Sequence, residues 1–287
     1  MNNQKPIGIF DSGIGGLTVL NELTKILPHE NFIYYADTKH LPYGNKSKEE
    51  IISYSKYIAE YFIKNDVKAI IIACGTASAL AFETLKSDYN IPIFNVIDVA
   101  VKSLCSNNIG ILATLASVSS DVWDNKILEK WPNANITKVA CPKLVPIAES
   151  GLVNTTESIE IIKEYLEPIK KQNVDTLILG CTHYPLFLPI IKNILNSSIN
   201  IINMGTPLAR DFKNFLESNN LTARKNENRK ITYIVSGDEN KFLESKKVFR
   251  KLIRKTFYST FEFLNKIVFF KKIVFINHLI FQLLNIH

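Results

Sequence analysis

The chain has 287 residues, 46% of them hydrophobic, and carries 34 Lys+Arg against 27 Asp+Glu for a net charge of +7. Such length and apolar content suit one large or two medium domains of about 100–200 residues and exclude disordered, collagen-like and disulfide-scaffold classes. The basic residues are mixed with acids, as in KFLESKKVFRKLIRK at 241–255, which does not favour a nucleic-acid partner, and no uninterrupted apolar run reaches the ~18 residues of a membrane span.

Short apolar, β-branched runs predict strands, in chain order, at 6–10, 32–36, 68–73, 91–94, 109–113, 136–141, 175–180, 199–203 and 231–235. Helical periodicity is predicted at 47–65, 77–87, 119–131, 155–172 and 206–218. Continuously apolar strands alternating with helices imply α/β architecture, with mostly parallel sheets covered by helices on both faces. Ligands of such sheets bind at the carboxyl ends of the strands, so the loops that follow strands hold the candidate site.

Two strand ends look alike. AIIIACGTAS places Cys74 and Thr76 after an apolar strand, and TLILGCTHYP places Cys181 and Thr182 in the equivalent spot. The opening strands PIGIFDSGIGG and IGILATLAS also correspond, which predicts two similar α/β halves, each bringing one cysteine to a shared cleft. Two thiols on opposite faces of a small substrate can act as general base and general acid, an arrangement that inverts a stereocentre. The alternative is that small apolar cysteines simply end core strands, the expectation for Cys105 and Cys141. The 4 Cys form no CxxC pair, and the N-terminus shows no apolar signal region, so a reduced, cytoplasmic protein is expected.

FDSGIGGLTVL lacks the glycine spacing of a dinucleotide loop and the GK[ST] of a P-loop, so it reads as a turn that presents Asp11 and Ser12, or merely caps with them. His183 stands two residues after Cys181. It can relay protons for that thiol or serve it as a nucleophile's base in a cysteine hydrolase. The 5 His in the chain do not make a recognisable zinc set, so no metal is expected. DTKHLPYG at 37–44 reads as a loop with Pro42 and Gly44 as turn residues, where Tyr43 and the Gly44 backbone either bind a carboxylate or lie at the surface. Glu149 in CPKLVPIAESG either reaches the cleft or caps a helix.

FDSGIGGLTVL, YYADTKHLPYG, ACGTASA, GILAT, CPKLVPIAESG, LGCTHYP and VSGDENKF, in this order over about residues 6–258, resemble the glutamate racemases of the aspartate/glutamate racemase superfamily. The resemblance implies two α/β domains with the active site in the cleft between them. The second, 98–206, is inserted between 1–97 and 207–258. The resemblance also implies cofactor-independent, two-base interconversion of L- and D-glutamate that supplies D-glutamate for peptidoglycan. Cys74 would take the α-proton of the D-enantiomer with help from Asp11, and Cys181 that of the L-enantiomer with help from His183; Glu149 belongs to the same catalytic set. Ser12, Pro42, Tyr43, Gly44, Gly75, Thr76, Thr114, Ser117 and Thr182, with Asp11 and His183, would hold the substrate. A racemase of the same superfamily acting on aspartate or another amino acid, and a catalytically weak binding protein of the gyrase-inhibitor type, are the alternatives, and a homodimer is left open.

The chain departs from the family pattern in four places. Gly75 stands where Asn is usual, which removes a side-chain hydrogen bond at a cost of about 1–3 kcal/mol if a substrate group goes unpaired. Ser117 stands where Thr is common, and Met204–Gly205 replaces the more frequent Asp–Ser. Residues 259–287 do not resemble the family; this apolar-basic tail reads as non-functional, with an interfacial amphipathic helix or a dimer contact as the alternative.

Overall fold

The computed structural model describes residues 4–195, 199–225 and 229–257, the last four by backbone alone; the 259–287 tail lies outside the described residues. The first half of the chain alternates β1 (Ile7–Asp11), α1 (Leu17–Ile26), β2 (Phe32–Ala36), α2 (Lys48–Lys64), β3 (Ala69–Ile72), α3 (Gly75–Leu80), α4 (Phe82–Asp88), β4 (Ile93–Asn95) and α5 (Val96–Lys102). The alternation continues with β5 (Asn108–Ala113), α6 (Leu115–Val118), α7 (Val122–Lys130), β6 (Asn135–Ala140), α8 (Leu144–Glu149), α9 (Thr156–Lys171) and β7 (Thr176–Leu179). It ends with α10 (Leu188–Leu195), β8 (Asn200–Asn203), α11 (Gly205–Ser218), β9 (Ile231–Val235) and α12 (Glu239–Phe257).

Nine strands form two sheets among the described residues, in the orders β4-β3-β1-β2-β9 and β6-β5-β7-β8, and every pairing is parallel. Read in the same sense, β4-β3-β1-β2 and β8-β7-β5-β6 are one topology used twice, with β9 added beside β2. The central strands β1, β3 and β7 are buried along their whole length, which explains their unbroken apolar sequences.

In each sheet the strand order reverses beside the first strand, between β1 and β3 and between β5 and β7. Such switch points leave a crevice at the carboxyl ends of the strands. Phe10 pairs with Ile72 and Leu112 with Leu179. Two residues beyond these pairs the register sets Ser12 level with Cys74, and Thr114 level with Cys181.

Local chemistry explains the helix boundaries. Ser47 and Glu50 form a reciprocal capping box at the start of α2. The helical stretch predicted at 77–87 is two helices, because the backbone at Ala81 departs from helical geometry and serves as end of one and start of the other. The stretch predicted at 119–131 holds one helix, α7, which begins only at Val122, and a short helix not predicted from the sequence, α6, precedes it with Thr114 as its cap. Cys105 corrects the sequence expectation: it is exposed in the loop between α5 and β5, not at the end of a core strand. No helix among the described residues is long and apolar enough to cross a membrane.

Candidate active site

A cleft of about 570 Å³, its open mouth included, is lined from both sheets. Ser12, Cys74, Gly75 and Thr76 come from the ends of β1 and β3; Thr114, Cys181, Thr182 and His183 come from the ends of β5 and β7. Pro42, Tyr43 and Gly44 close one side with Leu41 and Asn45. Leu115, Cys141, Pro142, Val145 and Pro146 line it too, and the sequence offered no chemical signal for these five beyond their place after strands. Cys141 does end β6 in the core, but its buried position also faces this cleft. Asp11, Glu149 and Ser117 stand behind the wall. The Ser117 hydroxyl is fully buried and accepts the indole N–H of Trp123 at 2.9 Å, a supporting position rather than one in the cavity.

Around Cys74 the partners are few and uncharged or negative. Its S–H donates to Ser12 Oγ at 3.9 Å. Burial pushes the Cys74 thiol up to about 12, and the nearby Asp11 charge pushes in the same direction. Asp11 is itself buried, which raises its carboxyl above the usual range against the opposing pull of His183 and of the Gly13 and Gly16 N–H groups. Its direct bonds are to Gly13 N at 3.0 Å and to Thr182 Oγ1 at 3.3 Å, so Asp11 touches the loop of Cys181 and acts on Cys74 through its charge.

Around Cys181 the arrangement is a relay. His183 Nδ1 lies 3.8 Å from Cys181 Sγ, and His183 Nε2 lies 2.7 Å from Glu149 Oε1. Glu149 is the last residue of α8, and it reaches the histidine across that helix end. Burial works against a charged imidazole, but the hydrogen bonds to Cys181 and Glu149 and the Glu149 charge outweigh it, so His183 is held well above its usual range.

The two halves touch at the floor of the cleft. Thr76 Oγ1 and Thr114 Oγ1 are 2.9 Å apart, one from each sheet. Thr18 on α1 donates to the carbonyl of Thr182 at 3.0 Å. A Cβ on Gly75 would collide with the carbonyl oxygen of Gly180, so only glycine permits this approach of the two cysteine loops. Tyr43 is fixed from behind, its hydroxyl donating to Asp37 Oδ2 at 2.6 Å. Among the described residues no group of three His, Cys, Asp or Glu is placed to hold a metal ion.

Comparison with known proteins gives this constellation a context. The family model described as Asp/Glu/Hydantoin racemase matches residues 16–209. A glutamate racemase of Thermoanaerobacter sp. is 38% identical over 247 residues, covering 84% of this chain and 91% of the relative. The crystal structure of glutamate racemase from Francisella tularensis in complex with D-glutamate superposes with a TM-score of 0.82 at 34% identity, covering 87% of this chain and 94% of that one. Aspartate racemase from Picrophilus torridus has a TM-score of 0.53 at 21% identity, covering 78% of this chain and 96% of that one, a likeness of fold alone.

Proposed function

The chain belongs to the Asp/Glu/Hydantoin racemase family, and we propose that it interconverts L- and D-glutamate by passing the α-proton between Cys181 and Cys74, with no cofactor. The observation that carries the proposal is the repeated topology. It delivers one cysteine from β3 and one from β7 to the same cleft, each two residues beyond its strand. The choice of glutamate rests on the 38% identity to a glutamate racemase and on the fold shared with the D-glutamate complex.

In the L-to-D direction Cys181 Sγ removes the α-proton, with the charged His183 at 3.8 Å as its counter-charge. The Cys74 thiol, held protonated by burial, delivers its own proton to the opposite face. The reverse reaction exchanges the two roles. The hydroxyls of Ser12, Thr76, Thr114 and Thr182 and the 42–44 turn bind the carboxylates and amino group, and stabilise the charge that develops at the α-carbon. Enclosure between the halves keeps water from the carbanion. In this reading the two sheets mark two domains, 98–206 inserted between 1–97 and 207–258, and the product serves peptidoglycan synthesis in the cytoplasm.

Purified protein incubated with L-glutamate in D₂O, without added cofactor, tests the proposal. The expected result is loss of optical rotation with deuterium entering the newly formed D-enantiomer. A folded sample that neither loses rotation nor exchanges the α-proton overturns it, and turnover of aspartate in preference to glutamate overturns the substrate assignment.

A further inference from the structure

The histidine beside Cys181 is held by an element from the other half of the molecule. After β9, the edge strand of the five-stranded sheet, α12 runs back across the four-stranded half and packs against α8 and the 3-10 turn Tyr184–Phe187. Its buried stripe is Phe242, Phe249 and Ile253, a spacing that puts all three on one helix face. Phe242 packs on Tyr233 of β9, ring centroids 6.3 Å apart. Two turns later Phe249, fully buried, meets the His183 ring edge-to-face, with centroids 5.9 Å apart and planes at 81°. Val248 beside it presses on Gly151, whose φ of +76° suits glycine, just after the helix that ends in Glu149.

The imidazole therefore has four restraints. Cys181 holds Nδ1 and Glu149 holds Nε2. The backbone at Gly15 is so close to the ring that a Cβ there would collide with Nδ1 and Cε1. Phe249 supplies the fourth. The first three fix hydrogen-bond directions and one edge; the aromatic contact fixes ring tilt and excludes water from a group that carries charge.

We infer that Phe249 is a positioning residue for the Cys181 side of the reaction, orienting His183 from a helix that begins on the opposite sheet. The inference builds on the two-cysteine reading above and assigns a role to a residue that touches neither the substrate nor a thiol. Proton transfer by Cys181 then depends on Phe249, whereas transfer by Cys74 does not.

Directional rates cannot expose this, because the enantiomers are isoenergetic in achiral solvent and both kcat/KM values must fall together. Primary isotope effects can. In Phe249→Ala, kcat/KM drops by about 10- to 100-fold, the range set by small misplacements around reacting groups. The isotope effect with α-deuterated L-glutamate rises as abstraction by Cys181 becomes limiting, and that with α-deuterated D-glutamate falls. Phe249→Leu, which refills most of the volume, recovers part of the rate, and it carries the same measurement if the alanine variant does not fold. Phe242→Ala, on the same helix face but against Tyr233, is the control for general loosening and keeps the isotope effects of the unmodified protein. Isotope effects that move in parallel in Phe249→Ala, or match those of Phe242→Ala, overturn the inference. The His183 ring resonances, assigned with His183→Gln, give a second readout that needs no turnover. They shift in Phe249→Ala and Phe249→Leu but not in Phe242→Ala, and unchanged resonances overturn the inference. A protein that shows this shift but never racemises glutamate refutes the two-cysteine reading and leaves the positioning contact standing.

Discussion

At Cys74 the thiol has a hydroxyl for a partner and a buried acid nearby; at Cys181 it has an imidazole braced by a carboxylate. The two strand-loop units are one topology used twice, yet their surroundings differ: burial drives the Cys74 thiol up to about 12 on one side, and on the other the contacts to Cys181 and Glu149 hold the His183 imidazole above its usual range. The proposed two-base transfer needs such a difference, because in it one cysteine lacks the proton the other holds. Repeated backbone brings a cysteine to the cleft from each sheet, and the side chains around each one give the two sides different electrostatic surroundings. Asp11 couples the two, since it lies in the charge field of Cys74 while accepting a hydrogen bond from Thr182 next to Cys181.

Removing either thiol breaks the comparison most sharply. Cys74→Ala and Cys181→Ala should each lose about 10²–10⁴-fold in racemisation, the range for a general acid or base. The residual exchange should divide by face. Cys74→Ala keeps Cys181 and exchanges the α-proton of L-glutamate with D₂O without inversion, and Cys181→Ala does the same for D-glutamate. Proton NMR of each enantiomer in D₂O checks this, and equal exchange of both enantiomers in one variant contradicts the assignment of faces.

Glu149→Gln should make the two sides more alike. A hydrogen bond with charge assistance contributes about 1.5–3 kcal/mol, against ~0.5–1.5 kcal/mol for an ordinary one; the variant keeps an amide oxygen that can accept from the imidazole but withdraws the carboxylate charge. His183 has a folded-state value above its unfolded one, so its contribution to stability is fully present below about pH 6.5 and is lost as pH rises through the folded value. In Glu149→Gln the folded value falls. Thermal midpoints measured across pH should show a lower plateau on the acid side and a decline that begins near the same pH but ends at a lower pH than in the unmodified protein.

Gly75→Ala tests the contact between the two units instead of either one. The added methyl meets a backbone carbonyl, which cannot rotate away, so the halves must separate or the loop must shift. Overpacking of this kind costs about 1–3 kcal/mol. The expected result is a lower thermal midpoint together with a fall in kcat/KM, since both cysteine loops carry the strain. An unchanged midpoint would mean that the loops are not in this contact in solution.

Much of this site was legible in the sequence because parallel α/β topology turns strand ends into site positions. Cys74, Thr76, Thr114 and Cys181 could be placed from apolar runs alone, and all nine strands fall where those runs lie. Contacts that cross between distant elements carry no local signal. Glu149 was open between cleft and cap until α8 set its carboxylate on His183. Phe249 stands in the mixed-charge stretch 241–255, where nothing in the sequence sets it apart, and only the packing brings it to His183. Gly75 read as a lost side chain, whereas the packing shows a glycine required by the Gly180 carbonyl. Ser117 carried a hydroxyl at a promising spot, but tertiary packing gave that hydroxyl to Trp123.

The smallest expected effect concerns the only direct side-chain hydrogen bond between the β3 and β5 loops among those described, Thr76 to Thr114. Both hydroxyls also face the cleft, so the bond serves the fold and the substrate at once. Thr76→Val keeps the shape and removes one partner. Thr114 Oγ1 stays occupied, because it caps the Ser117 N–H at 3.4 Å, so no buried acceptor is stranded. The loss of stability should therefore stay near the ~0.5–1.5 kcal/mol of one ordinary hydrogen bond, while KM for glutamate rises more than kcat falls. Thr114→Val removes the same bond and the helix cap together, and a cap is worth about 0.5–2 kcal/mol on its own. Denaturant unfolding of both variants should accordingly rank Thr114→Val as the less stable; the reverse ranking would show that the hydroxyl pair, not the cap, anchors this junction between the halves.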